Sequence, residues 1–258
     1  MRPGSRALYG LTGLVGFGLL LEVLPYLGLV STDDAPPTHR ILVAVTKELG
    51  DGRFWTALLD TLRTWALGLV IAAGAGLVLG VLIGSVPVLR SLTASTVEFL
   101  RPIPSVALIP LAVLLYGSTI RSTLLLVVYA SFWQVLVQVL HGVADVDPVA
   151  RDTAAAYRLG RWPTVRYLIW PTALPYALTG FRLAASVALI LTITGELVIG
   201  SPGLGKEIAV AQSSGAVPAM YALVLVTGLI GVLANLATRT TERQIMAWHP
   251  SVRQEVPV

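Results

Sequence analysis

Residues 145–182 read DVDPVARDTAAAYRLGRWPTVRYLIWPTALPYALTGFR and separate two long apolar blocks of the chain. This stretch begins with the signals of a short helix. Asp147 is a favourable N-cap, and Pro148 suits the first helical position, where its missing N–H has no intrahelical partner to lose. The alanines at 154–156 favour the helix because alanine loses no side-chain entropy there. Gly160 is expected to end it in the left-handed conformation.

A second short helix is predicted in the same stretch. Trp162 precedes a proline and is expected outside the helical region, so this helix should begin at Pro163 and end before Pro171. The first helix has a narrow alanine surface flanked by Arg151 and Arg158. That shape suits insertion into a groove of another protein. On charge alone, an ordinary solvated loop is the alternative.

The composition indicates an integral membrane protein. Of 258 residues, 55% are hydrophobic and only 12% are charged, and the mean hydropathy is +0.78. Because the chain has no cysteine, disulfides, thiolate metal sites and cysteine nucleophiles are excluded. The three histidines are scattered, so we expect no metal site. The basic residues lie between apolar segments without interleaved aromatics, so we expect no nucleic acid partner.

The apolar segments predict an all-α polytopic membrane protein with one transmembrane domain over residues 1–258. Six of them are long enough to cross a bilayer as helices, at about 7–30, 65–84, 99–116, 122–140, 176–199 and 220–237. The first follows Arg2 and Arg6 and has no small-residue cleavage site, so we expect a retained span. Six spans put both termini on one side. The excess of basic residues predicts that this side, with the loop at 145–175, is cytoplasmic.

The second predicted span carries a small residue at every fourth position: Gly68, Ala72, Gly76, Gly80 and Gly84. Residues four apart lie on one face of a helix, so this face is nearly bare backbone and can approach another helix closely. The partner helix can belong to the same chain or to a second subunit.

Candidate pathway residues lie in the third and fourth predicted spans. Pro104 and Pro110 free backbone carbonyls, as in helices that line a pathway, although a simple kink is the commoner reason for such prolines. Gln134 and Gln138 share one helix face and either hydrogen-bond to another helix or contact the solute. We take Pro104, Gln134 and Gln138 as candidate pathway residues.

Two carboxylates fall inside predicted spans, where a charge facing lipid is costly. Glu22 either faces protein or lies near the outer interface. Glu196 is expected to face the helix bundle, with Thr192 and Thr194 offering nearby hydroxyls. It is either a hydrogen-bonded contact between helices or a gate residue. An ion-coupled secondary transporter that uses Glu22 or Glu196 as its ion site is the alternative function.

Residues 200–207 read GSPGLGKE and nearly match the phosphate-binding pattern GxxxxGK[ST]. The match ends in Glu207, which has no hydroxyl for Mg²⁺. The stretch also follows no predicted strand and lies on the predicted outer side. We interpret it as a glycine-rich outer loop and expect neither ATP nor Mg²⁺ to bind to this chain.

The order of motifs at 154–180 resembles the EAA loop of the membrane subunits of ABC importers. The three alanines from Ala154 to Ala156 are followed by three residues and Gly160, and later by PTALP at 171–175. In that family the loop forms a coupling helix that docks on the ATP-binding subunit. The resemblance assigns this role to Ala154, Ala155, Ala156, Arg158 and Gly160. This chain departs from the motif at Ala154, where the family has glutamate.

The string RPIPSVALIPL at 101–111 also resembles the nitrate, sulfonate and taurine type of permease. The resemblance implies a type I ABC-importer permease in the bacterial plasma (inner) membrane, paired with a second copy. It also implies two ATP-binding subunits that hold the ATP and Mg²⁺, and an external solute-binding protein. The solutes of that family include sulfonates, taurine, nitrate, bicarbonate and aromatic acids. Arg101 and Arg182 are expected near the inner interface, where positive charge is common, so they do not identify the solute.

Overall fold

The computed structural model describes residues 36–247, together with residues 12, 13, 16, 18, 19, 22 and 23. Most of the predicted first span at 7–30 therefore lies outside the described residues. The helices in the described part are α1 Thr38–Gly50, α2 Gly52–Ser85, α3 Pro87–Leu100, α4 Ile109–Tyr116, α5 Ile120–Ala144, α6 Pro148–Ala156, α7 Arg161–Thr164, α8 Trp170–Ile199, α9 Leu204–Ser213 and α10 Val217–Ile245. The described residues include no strand, which confirms the all-α prediction.

Four continuous helical stretches are long and apolar enough to cross a membrane: Gly52–Ser85, Ile120–Ala144, Arg161–Ile199 and Val217–Ile245. The third of them joins α7 to α8 through a π-helical turn at Val165–Ile169. The predicted spans at 65–84, 122–140, 176–199 and 220–237 each lie inside one of these stretches.

The predicted third span, 99–116, is not one helix. The chain bends by 82° between Pro87–Leu100 and Ser105–Tyr116, with the break inside the predicted segment. Pro102 and Pro104 lie at this break and have no N–H for a helical hydrogen bond, which is the physical reason for it. The 12 residues of Ser105–Tyr116 extend only about 18 Å at 1.5 Å per residue, which is too short to cross a bilayer alone.

The glycine face of α2 packs against α5 of the same chain. Four glycines meet four valines, namely Gly68 with Val127, Gly76 with Val135, Gly80 with Val139 and Gly84 with Val143. The same offset in numbering joins each pair, so α2 and α5 run parallel. A Cβ at Gly80 would lie 2.7 Å from the Cβ of Val139, closer than a real side chain can approach. The partner left open by the sequence is therefore an internal helix.

Helix α8 packs against α5 in the opposite direction. Gly195, near the end of α8, lies against Thr123 at the start of α5. Gly142, near the end of α5, lies against Ala173 in the first turn of α8. The interior at this junction is filled by small and branched side chains of α2, α5 and α8, and it forms the main core of the described chain.

Helices α3 and α4, with the bend between them, connect the end of α2 to the opposite end of the bundle. Because α2 and α5 run parallel, the chain must travel back along them before α5 begins. The hydroxyl of Tyr129 donates to the Leu100 carbonyl at 2.7 Å, which places the break beside the middle of α5. The hydroxyl of Ser122 donates to the Ala112 carbonyl at 3.1 Å, which places α4 beside the start of α5. Helices α3 and α4 thus run between the two ends of the bundle as a bent pair.

A second, smaller core lies at the end of the bundle where α2 begins. It joins α1, α2, α9 and α10 and includes the buried side chains of Phe54, Leu204, Ile208 and Leu223. Helix α9 begins inside the stretch at 200–207 that was predicted as a glycine-rich loop, so that prediction missed the start of a helix. Nearby, the Glu22 carboxylate lies 2.9 Å from His39 Nδ1 at the start of α1.

Candidate functional site

Helix α6 begins as the sequence predicts. The Asp147 carboxylate accepts a hydrogen bond from the Val149 N–H at 2.7 Å, and Pro148 occupies the first turn. The Arg151 guanidinium donates to the Val143 carbonyl at 2.7 Å. This bond ties α6 to the end of α5, so Arg151 is engaged within the chain.

The end of α6 differs from the prediction. The helix ends at Ala156, and the residue with positive φ (53°) is Arg158. The Leu159 N–H donates to the Ala154 carbonyl at 2.9 Å, and the Arg158 N–H donates to Ala155 at 2.9 Å. These two bonds form a Schellman motif with Arg158 at the left-handed position.

The prediction that Gly160 ends α6 in the left-handed conformation is therefore wrong. Gly160 has φ −63° and ψ 167°, which other residues also adopt. Its carbonyl accepts the Thr164 N–H at 3.1 Å, so Gly160 precedes the next helix instead of closing α6. The turn closes two residues earlier, at Arg158, because the N–H groups of Arg158 and Leu159 already satisfy the last carbonyls of α6.

The second predicted helix also has different limits. It begins at Arg161, so Trp162 is helical and Pro163 lies in the first turn, where its missing N–H is tolerated. It does not end before Pro171 but continues through the π turn into α8, with Pro175 inside the helix. The π turn shifts the hydrogen-bond register immediately before Pro171, where no N–H is available, so the helix can pass through the proline.

The segment from α6 to the start of α8 presents an exposed apolar surface. No residue of α6 is fully buried; Ala154 is half-buried, and Ala155 and Ala156 are exposed. Exposed large apolar side chains follow along the segment, and they are Val149, Tyr157, Leu159, Trp162, Tyr167 and Trp170. Tyr157 keeps 80% of its surface exposed. Exposed apolar patches of this kind mark interaction surfaces.

At the other end of the bundle, Glu196 is fully buried. Its Oε2 accepts the Thr61 hydroxyl at 2.9 Å and the Gly205 N–H at 3.0 Å. The Thr61 hydroxyl in turn accepts the Leu204 N–H at 2.9 Å. This Glu196 cluster joins α8 to α2 and to the N-terminus of α9, while the other carboxylate oxygen, Oε1, is buried with no hydrogen-bond partner among the described residues.

The glycine-rich stretch at 200–207 is built around the same carboxylate. Gly203 has a φ of 148°, and a Cβ there would overlap the carboxyl group of Glu196. The amide of Gly205 donates to Glu196, so the near-match to a phosphate loop holds the chain's own carboxylate. Ser201 lies 2.6 Å from the Thr123 hydroxyl, which fixes the loop to α5.

The polar partner of Glu196 differs from the expected ones. The Thr192 hydroxyl donates to the Ala188 carbonyl of its own helix at 2.8 Å. The hydroxyl that Glu196 uses belongs to Thr61, 135 residues earlier in the chain. No local spacing in the sequence indicates this pairing, because it depends on how α2 packs against α8.

The candidate pathway residues fall into different places. Pro104 and Gln134 line the same cavity, of about 300 Å³, between the bend and helices α5 and α8. Gln138 lies one turn further along α5. A Cβ added at Gly180 would lie 3.0 Å from the Cβ of Gln138, so Gln138 packs between α5 and α8. Glu196 belongs to the cluster described above.

Arg101 also lines this cavity, which contradicts its expected position near the inner interface. The residue follows Leu100, whose carbonyl is bonded to Tyr129 in the middle of α5. The helix break at the prolines carries Arg101 to this depth. The prolines of the RPIP string are the local reason for the break. The depth of the break in the bundle depends on the contact between Leu100 and Tyr129 of α5.

Comparison with known proteins places the chain among transport proteins. Residues 76–246 match the family described as "Binding-protein-dependent transport system inner membrane component". The chain is similar to the taurine transport system permease protein TauC of Escherichia coli, with 29% identity over 88% of this chain and 84% of the relative. It is also similar to the putative aliphatic sulfonates transport permease protein SsuC of Bacillus subtilis, with 26% identity over 97% of this chain and 92% of the relative.

A third relative is the bicarbonate transport system permease protein CmpB of Synechocystis, with 27% identity over 86% of this chain and 83% of the relative. Among solved structures, the fold is similar to one titled "Crystal structure of an amino acid ABC transporter with histidines", with a TM-score of 0.61 and 19% identity. That likeness covers 74% of this chain and 94% of the solved one. With the family match running from α2 to the end of α10, the chain belongs to the inner membrane components of binding-protein-dependent transport systems.

Proposed function

We propose that this chain is the membrane subunit of an ATP-driven importer for a small anion. It works as a pair of identical permeases with two ATP-binding subunits on the cytoplasmic side and a solute-binding protein outside. The observation that carries this proposal is the exposed apolar surface of the segment at 148–170, which lies between two helices long and apolar enough to cross a membrane.

This segment has the shape required of a coupling helix. The short side chains of Ala154, Ala155 and Ala156 let another surface approach the α6 backbone closely. The exposed aromatic side chains of Tyr157 and Trp162 extend the apolar contact beyond the helix. Arg158 and Gly160 shape the tight turn between them. Docking here transmits closure of the ATP-binding subunits directly to α5 and α8, because the segment continues into both helices.

The ATP-binding subunits hold the ATP and Mg²⁺ in this proposal. The permease contributes no nucleotide site, since the glycine-rich loop at 200–207 already donates an amide to Glu196. The chain is a transport permease by family, and its part in the cycle is to expose the solute alternately to the two sides of the membrane.

Six spans are proposed, with both termini in the cytoplasm. Four long apolar stretches of the described residues support four of these spans; the bent pair of α3 and α4 is proposed as a fifth, and residues 7–30 as the first. Because Arg101 lies at mid-depth, it no longer counts among the basic residues of the inner side. The inner excess remains, because Arg158, Arg161 and Arg166 all lie in the exposed segment.

The solute is proposed to be an organic or inorganic anion. The relatives are named for taurine, aliphatic sulfonates and bicarbonate, which share a negatively charged oxygen-bearing group. Aromatic acids and nitrate also carry a negatively charged oxygen-bearing group.

An ion-coupled secondary transporter is the weaker candidate. Glu196 would be its ion site, yet its carboxylate is sealed between helices and held by Thr61 and Gly205. Glu22, the other candidate, is paired with His39. Membership of a binding-protein-dependent family also favours ATP as the energy source.

The test is an Ala155→Glu variant co-expressed with the ATP-binding subunit. A longer, charged side chain on the exposed alanine face should prevent docking, so the ATP-binding subunit should no longer co-purify with the permease. Thr240→Glu is the matched control, because Thr240 is also exposed and lies near the predicted cytoplasmic end of α10. Full co-purification with Ala155→Glu would contradict the docking assignment.

A further inference from the structure

The cavity of about 300 Å³ lies in the middle of the bundle. It is lined by residues 101–105 at the bend, by residues of α5 between Tyr129 and Gln134, and by Val187 and Leu191 of α8. The α5 residues are nine or more positions from either end of Ile120–Ala144. At 1.5 Å per residue, this is at least about 13 Å from either end of the helix. The cavity is therefore at the depth of the hydrocarbon core.

Arg101 is an isolated positive charge in this cavity. No carboxylate lies within salt-bridge distance of it among the described residues, and the residues that line the cavity include no Asp or Glu. Its side chain is exposed in the described chain and is therefore open to a ligand. Arginine at the centre of a membrane is costly and typically faces a cavity or a solute pathway.

Further hydrogen-bond donors surround the same space. The Gln134 amide and the Ser105 hydroxyl line the cavity. Trp133 lines it as well, and its indole N–H is buried with no acceptor in the described part of the chain. The Tyr129 hydroxyl is already used on the Leu100 carbonyl. Gln134, Ser105 and Trp133 can thus each donate a hydrogen bond into the space beside Arg101, which suits an oxygen-rich anion.

The rest of the wall is apolar. Ile103, Val187 and Leu191 face the cavity beside the polar groups. A guanidinium can bind the oxygens of a sulfonate, carboxylate or nitrate through two parallel hydrogen bonds. A short apolar tail on the solute would then lie against the branched side chains.

We propose that this cavity is the site where the permease binds its solute during passage, and that the solute is a small oxyanion held by Arg101, Gln134 and Ser105. Arg101 supplies the countercharge, and the break at Pro102 and Pro104 exists to bring it to mid-depth. This inference rests on the proposed function, since it takes the transported solute to be an anion.

The test uses thiol chemistry, because the native chain has no cysteine. Gln134→Cys places one reporter thiol in the cavity of the full complex, in membrane vesicles without ATP. The probes are an anionic sulfonatoethyl methanethiosulfonate and a cationic trimethylammonium-ethyl methanethiosulfonate. Each rate is divided by the rate of the same reagent with a free thiol in solution.

The anionic probe is expected to react roughly tenfold faster than the cationic one after this correction, since Arg101 attracts negative charge at short range in a poorly screened site. Adding Arg101→Gln should reduce the ratio to about one. Adding Arg101→Lys should preserve most of it. Arg121→Gln is the matched control, because Arg121 is an exposed arginine of α5 far from the cavity, and it should leave the ratio unchanged.

An unchanged ratio in Arg101→Gln would overturn the proposal. A second reporter, Ala130→Cys, lines the same cavity, and failure of both thiols to react would also overturn it, since the cavity would then be closed to small anions. The measurement needs no ATP. A negative result would therefore leave ATP-driven import standing, whereas full co-purification with Ala155→Glu would count against the proposed function alone.

Discussion

The Thr61→Val substitution is the sharpest test of how the Glu196 cluster holds helix α9. Valine has nearly the volume of threonine, so packing is retained while the hydroxyl is lost. That hydroxyl donates to Glu196 and accepts from the Leu204 N–H, both at 2.9 Å. The loss of one bond costs about 1 kcal/mol, and a buried N–H left without an acceptor costs about 1–3 kcal/mol. We expect the free energy of unfolding to fall by about 2–4 kcal/mol.

Thr64→Val is the matched control, one turn along the same helix. Thr61 and Thr64 are both buried, at 0% and 1% exposure, but the Thr64 hydroxyl donates only to the Asp60 carbonyl of its own helix. That carbonyl retains its helical hydrogen bond when the hydroxyl is removed. We therefore expect Thr64→Val to cost less than about 1 kcal/mol.

Both variants can be compared by titrating the purified protein in mixed micelles with sodium dodecyl sulfate and following tryptophan fluorescence. A local readout is the reactivity of a thiol at Ala211→Cys, a buried position on α9. Thr61→Val should raise this reactivity, because α9 is released locally, and Thr64→Val should not. Equal destabilisation by the two substitutions, with no change in thiol reactivity, would refute the assigned role of the cluster.

Three other predictions, which use five substitutions, test separate features of the fold and site. Gly80→Ala should lower the free energy of unfolding by about 1–3 kcal/mol, since its Cβ would lie 2.7 Å from a valine of α5; Gly74→Ala meets nothing within 4 Å and should raise it by up to about 1 kcal/mol. Glu196→Gln retains hydrogen bonding but removes the charge; if Glu196 gates through its charge, the variant should assemble normally with lowered uptake and altered basal ATP hydrolysis, and wild-type values for both would leave only a packing role. Arg158→Gly should stabilise the turn by up to about 1 kcal/mol because Arg158 has positive φ, whereas Gly160→Val should change stability little, as shown by the same unfolding titration.

Hydropathy and local rules predict the helices and the start of α6 well, because these features depend on neighbouring residues. The cap at Asp147 is an example, since its partner Val149 is two positions away. The end of α6 was predicted wrongly because glycine preference alone does not determine where the closing hydrogen bonds form. The chain uses Arg158 in the left-handed position, against the residue preference.

The candidate site shows the same limit more strongly. The sequence indicates that Glu196 needs a partner, but Thr61 becomes that partner only when α2 packs beside α8. The prolines of the predicted span at 99–116 indicate a kink, but the position of the bend in the bundle is set by the hydrogen bond between Tyr129 and Leu100. Contacts between distant residues therefore decide which polar groups share a cavity, and no periodicity in the sequence records them.

The energy source for uptake tests most directly whether this chain is the membrane subunit of an ATP-driven anion importer. The permease, its ATP-binding subunits and the external binding protein are reconstituted in proteoliposomes, and labelled taurine, an alkanesulfonate and nitrate are tried in turn. We expect at least one anion to accumulate only when ATP is present on the side of residues 148–170 and the binding protein is present on the other. Accumulation driven by a proton or sodium gradient, without ATP and without the binding protein, would contradict it.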